Sequence, residues 1–120
     1  MQITQCLHTA ILVCDLEKAE YFYGQVLGLT KVDRNLKYLG AWYQIGDYQL
    51  HLMVDASFST QKYNTEKWGR NPHLALSVVN LEEAITELQQ HSYPIQMSAS
   101  GRPALFVHDP DGNIIEISQK

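Results

Sequence analysis

Apolar positions along the chain change period twice, in the same order each time. Residues 5–13 alternate as a strand does, with Cys6, His8, Ala10 and Leu12 on one face and Leu7, Thr9, Ile11 and Val13 on the other. The spacing then becomes helical over 15–27: Asp15 is a good N-cap, Leu16, Ala19, Tyr23 and Val26 or Leu27 form one stripe, and Gly28 ends it. Short strands follow near 30–34, 38–45 and 48–54, the last two joined by a Gly46-Asp47 turn. After a polar stretch the series restarts. Strand 72–79 leads to helix 81–91, which has Asn80 and Glu83 as a capping box and Leu81, Ala84, Ile85 and Leu88 as its stripe. Strands near 94–98, 103–108 and 113–118 complete it. The order is βαβββ twice, an α+β arrangement with helices packed on one face of each sheet.

The duplication extends to residue identity. His8-Thr-Ala-Ile-Leu-Val-Cys-Asp-Leu-Glu-Lys-Ala19 aligns with His73-Leu-Ala-Leu-Ser-Val-Val-Asn-Leu-Glu-Glu-Ala84, and Gln-Leu-His51-Leu falls on Ile-Ile-Glu116-Ile. His51 follows His8 by 43 residues, and Glu116 follows His73 by the same 43. Each half thus holds two metal-capable residues at one fixed interval. Glu116 stands among isoleucines after a tight turn at Asp109-Pro110-Asp111-Gly112, and a carboxylate there is costly to desolvate unless a cation pairs with it. The histidine faces of the two first strands carry small or polar neighbours (Cys6, Ala10, Ser77), so they are the open side where a cavity can form.

Length and composition narrow the class. The 120 residues suit one domain, with repeat one over about 1–55, a connection over 56–70 and repeat two over 71–120. The connection is polar and mixed in charge, with Tyr63 and Trp68 as its large rings. A net charge of −4 without a basic tract argues against nucleic acid or an anionic membrane as partner. No apolar run approaches the roughly 20 residues of a membrane span. Cys6 and Cys14 lie too far apart along one strand to bridge, which fits a reducing cytoplasm.

The βαβββ duplication, Phe22-Tyr23 ahead of Val26-Leu-Gly-Leu29, Asn71-Pro-His73-Leu-Ala-Leu and Asp109-Pro-Asp-Gly-Asn-Ile-Ile-Glu116 together resemble the vicinal oxygen chelate superfamily. It includes glyoxalase I, extradiol dioxygenases, fosfomycin-resistance enzymes, methylmalonyl-CoA epimerase and bleomycin-resistance proteins. The resemblance covers essentially the whole chain. It implies a curved mixed sheet around a metal-binding cavity, with ligands from the first and last strand of each unit. Carried over, His8, His73 and Glu116 match the shared two-histidine, one-carboxylate set, and His51 matches the fourth position. The cofactor implied is a divalent metal ion (Fe, Mn, Co, Ni or Zn), and the partners are a small-molecule substrate chelating through adjacent oxygens and a second copy in a homodimer. Glu116 or His51 then serves as the general base. The reading is a metal-dependent lyase/isomerase or dioxygenase. Its alternative is a bleomycin-resistance-like binding protein without catalysis. Leu12 occupies the place of a glyoxalase I arginine, and the cavity face of Cys6, Ala10, Leu12, Cys14, Ala75 and Phe106 offers no cation, so a glutathione adduct is not expected as substrate. Phe106, with Tyr43 or Trp42, is expected to line an apolar pocket. His91 and His108 fall outside the repeat and are read as structural.

Overall fold

The computed structural model describes residues 1–60 and 64–120, which form two compact units, Met1–Phe58 and Ser59–Lys120. The boundary falls inside the expected connection. Lys62 and Tyr63, both in that connection, lie outside the described residues.

The first unit runs β1 (His8–Val13), α1 (Leu16–Glu20), a helical extension (Tyr21–Val26), β2 (Thr30–Val32), β3 (Gly40–Ile45) and β4 (Tyr48–Val54). Asp15 caps α1, accepting from the Lys18 N–H at 3.1 Å. The helix does not continue as one α-helix to residue 27. From Tyr21 it widens into a π turn, with the Leu27 N–H donating to the Phe22 carbonyl at 2.9 Å. The wider turn brings Phe22, Tyr23 and Val26 into the core together. Gly28, at φ +73°, then ends the segment. The sheet order is β1-β4-β3-β2, with β1 parallel to β4 and the other pairs antiparallel. Val13, Ala19, Phe22, Tyr23, Tyr43, Leu50 and Leu52 are buried in its core. Burial, with Glu20 beside it, pushes the Tyr43 phenol up to about 12.

The second unit repeats this plan after a short turn at Trp68–Arg70: β5 (His73–Val78), α2 (Leu81–Gln90), β6 (Ile95–Met97), β7 (Ala104–His108) and β8 (Ile114–Gln119). Its order is β5-β8-β7-β6, again with the first and last strands parallel. Asn80 caps α2 through the Glu83 N–H at 3.2 Å, and Leu81 and Leu88 are buried beneath the helix. In both first strands the histidine faces are the exposed ones: His8 and Ala10 in β1, and His73, Ala75 and Ser77 in β5. The first strand is shorter than expected, so Cys6 lies exposed ahead of it.

The β7–β8 turn fixes the register that delivers Glu116. The Asp109 carboxylate accepts from the Asp111 N–H at 2.9 Å, the Asn113 N–H at 2.8 Å and the Asn113 side-chain amide at 2.9 Å. Gly112, at φ +88°, closes the turn, and Thr60 donates to the Asp111 carbonyl. Asp109 is only 4% exposed, so truncating it leaves buried donors unpaired. We expect Asp109→Ala to cost about 3 kcal/mol and Asn80→Ala about 1 kcal/mol in urea unfolding. Equal losses would contradict this account of the turn.

Candidate functional site

In the first unit, parallel pairing sets Ala10 opposite His51 and His8 opposite Gln49, while β3 sets Trp42 opposite His51. Three flat rings therefore stack on the open face. His51 lies 4.2 Å from Trp42 and 4.1 Å from His8 between centroids, with interplanar angles of 9° and 13°. A chain of amides orients the middle ring. Gln44 donates to the Gly46 carbonyl at 2.7 Å, so its oxygen accepts from the Gln49 amide at 2.8 Å. Gln49 then turns its own oxygen to His51 Nε2 at 2.9 Å. An amide oxygen only accepts, so Nε2 carries the proton and Nδ1 keeps a lone pair. Burial, then His8 and Arg34, hold the His51 imidazole below its ordinary pKa of 6.5.

The second unit matches this arrangement. Ala75 and Phe106 flank Glu116 across the sheet, as Ala10 and Trp42 flank His51. Trp42 is thus the counterpart of Phe106, while Tyr43 belongs to the buried core. His73 Nδ1 donates to the Asn71 carbonyl at 2.6 Å, which leaves Nε2 unprotonated in the neutral ring. Nε2 faces Glu116 Oε1 at 3.4 Å. Ser118 donates to Glu116 Oε2 at 2.7 Å, and Arg102 reaches Oε1 at 3.5 Å. Glu116 is only 7% exposed. Burial alone would raise its carboxyl, but Ser118, Arg102 and His73 outweigh burial and hold it below the ordinary glutamate range. The Phe106 ring stands edge-on to His73 at 5.4 Å, and it sits so close to Gly69 that a β-carbon there would lie 2.5 Å from the ring.

Each unit thus brings together its own expected pair, His8 with His51 and His73 with Glu116. Within neither unit do three or more His, Cys, Asp or Glu side chains gather, among the described residues, to hold a metal ion. The two other histidines have local roles: His91 bonds the Glu87 carbonyl at 2.8 Å, and His108 stands edge-on to Trp68 at 4.3 Å. Among the described residues the open strand faces themselves carry no cation, but two reach the paired residues from outside the strands. Loop residues Arg34 and Arg102 bring positive charge to His51 and Glu116, and strand periodicity could not reveal them because neither lies on a strand. A local signal for Arg102 was present in Ser98-Ala-Ser-Gly-Arg102, a turn-rich run that places a cation just ahead of β7.

The lowered His51 value has a definite sign. The unfolded chain takes up the proton first, so stability falls with pH below about 6.5. We expect the His51 ring resonance of metal-free protein to titrate below the ordinary histidine range by NMR, with urea midpoints falling over the same interval. A His51 that titrates above 6.5 would contradict the stacked, amide-oriented ring.

Residues 5–117 match the family model described as Glyoxalase/Bleomycin resistance protein/Dioxygenase superfamily. A lactoylglutathione lyase from Escherichia coli O157:H7 is 29% identical, with 95% of this chain and 91% of the relative covered. The mitochondrial methylmalonyl-CoA epimerase of Homo sapiens is 27% identical, with 93% of this chain and 72% of the relative covered. A glyoxalase/dioxygenase from Nostoc punctiforme, whose structure is solved, has the same fold: the TM-score is 0.77 at 24% identity, covering 97% of this chain and 90% of that one. The chain belongs to the Glyoxalase/Bleomycin resistance protein/Dioxygenase superfamily.

Proposed function

We propose that the protein is a metal-dependent lyase or isomerase acting on a small substrate that offers two adjacent oxygens. The observation that carries this reading is the contact between His73 Nε2 and Glu116 Oε1. An imidazole nitrogen and a carboxylate oxygen 3.4 Å apart are placed to share a cation. The Asn71 carbonyl holds His73 in the tautomer a metal ligand needs, and Ser118 orients the carboxylate, the outer support that metal-binding side chains commonly have. The donor set fits a divalent ion of iron, manganese, cobalt, nickel or zinc. His73 and Glu116 would hold it, with His8 and His51 as further ligands. A second copy of the chain in a homodimer is part of this reading, as is a cytoplasmic setting.

A bound dication would supply Lewis-acid polarisation of the substrate oxygens. The chain's residues supply the rest. Trp42 gives the open face of the first unit an apolar wall that orients a small substrate, while Phe106 is buried behind Glu116. Where His73, Glu116 and His8 alone hold the ion, His51 keeps its Nδ1 lone pair and takes a proton there. Glu116 is the alternative base, weakened in that role by the three groups that stabilise its ionised form. The names of the lyase and epimerase relatives favour this class over dioxygenase chemistry. Leu12, beside Ala10 on the His8 side, leaves a glutathione adduct without the arginine that glyoxalase I places there.

Titration with Co²⁺, followed by its visible absorption, tests the reading. Outer-shell substitutions already cost about 10- to 100-fold in affinity. Direct ligand losses in His73→Ala and Glu116→Gln are therefore expected to cost about 100-fold or more, while His91→Ala stays like wild type. Equal binding by all four proteins would refute it.

A further inference from the structure

Beside Glu116, the second unit carries an open cavity of 490 Å³, walled by Ala75, Ser77, Ala104, Ser118 and Arg102 among others. Ala75 is the register partner of Glu116, and Ser118 and Arg102 both bond its carboxylate, so three residues of the cavity wall also flank Glu116. Its volume lies in the range of small-molecule sites. Its wall includes serine hydroxyls and cations but no acidic side chain.

Arg102 is the feature in need of explanation. Its side chain is 55% exposed and ends in a guanidinium with five N–H groups. It bonds Ser100 Oγ at 3.2 Å and reaches Glu116 Oε1 only at 3.5 Å, a long contact for a charge-assisted pair. Glu116 has a better donor in Ser118, at 2.7 Å. With a dication on Glu116 and His73, a guanidinium close by is repelled unless a negative group lies against it.

We propose that Arg102 anchors an anionic arm of the substrate, a carboxylate lying in the 490 Å³ cavity, and so selects small carboxylic acids that carry adjacent oxygens elsewhere in the molecule. This rests on the metal-chelate reading for the position of the adjacent oxygens. The anion site itself rests on Arg102 and the cavity. A planar guanidinium grips a carboxylate through two parallel N–H groups, so Arg102 is a specificity-determining residue that need not take part in proton transfer.

Two 2-oxo acids of equal chain length isolate the effect: 2-oxoglutarate, with a second carboxylate, and 2-oxopentanoate, with a methyl group in its place. Dissociation constants are measured by calorimetry on the Co²⁺-loaded full chain. Wild type is expected to favour 2-oxoglutarate by about 10- to 100-fold, the size of a charge-assisted hydrogen-bonded contact. In Arg102→Ala the ratio collapses towards one, and Arg102→Lys restores part of it, because lysine keeps the charge without the fork. A role confined to supporting Glu116 would weaken both acids equally and leave the ratio intact, which overturns the proposal. A wild-type ratio near one also overturns it. Co²⁺ uptake and circular dichroism of each variant exclude misfolding. If wild type takes up no Co²⁺, the chelate reading fails on its own. Glutarate and pentanoate are then compared on the metal-free protein by NMR: a glutarate preference lost in Arg102→Ala sustains the anion site, and equal binding overturns it.

Discussion

An imidazole nitrogen and a buried carboxylate oxygen do not face each other at 3.4 Å without cause. The carboxylate has lost most of its water, so it needs a partner. The surrounding structure enforces the contact. The Asn71 carbonyl fixes the His73 proton on Nδ1, and Ser118 pins one oxygen of Glu116. Parallel pairing of β5 with β8 holds both backbones in register. Each device has a small cost that a shared cation offsets. That cation can be a proton, giving an imidazolium–carboxylate pair, or a metal ion, and the donor chemistry suits both.

The fold serves this contact by placing the first and last strands of each unit side by side. A βαβββ unit must bury one face of its sheet under the helix. It thereby leaves the opposite face to residues that packing does not dictate. In the first unit that face holds the stacked Trp42, His51 and His8 rings, and in the second it holds Phe106, Glu116 and His73. The helix-facing residues, such as Tyr43, Leu50 and Ile115, are fully buried and play no part in the chemistry. The two units differ most in their last-strand residue: one offers an imidazole held neutral, the other a carboxylate held ionised.

Much of this was legible in the sequence, because periodicity and capping are local physics. Asp15 and Asn80 cap the helices they were expected to cap, and the alternation in both first strands assigned the open face correctly. The 43-residue interval singled out two pairs, and each pair is in contact within its unit. What escaped was non-local or backbone-driven. The π turn after Glu20 arises from packing three large side chains inward, which a stripe of apolar residues does not specify. Trp42 and Tyr43 are adjacent, so only the observed β3–β4 register tells which one faces His51. Arg34 and Arg102 sit on loops, where no period predicts what a long side chain will reach.

The central proposal is that the paired residues of the two repeats ligate a metal ion. X-ray absorption fine structure of the Ni²⁺-loaded protein tests it most directly, because imidazole rings give a distinct outer-shell scattering pattern. The account predicts a light-atom first shell with scattering from more than one imidazole, reduced by one ring in His8→Ala and again in His73→Ala. A spectrum without imidazole scattering, or one unchanged in both variants, would contradict it.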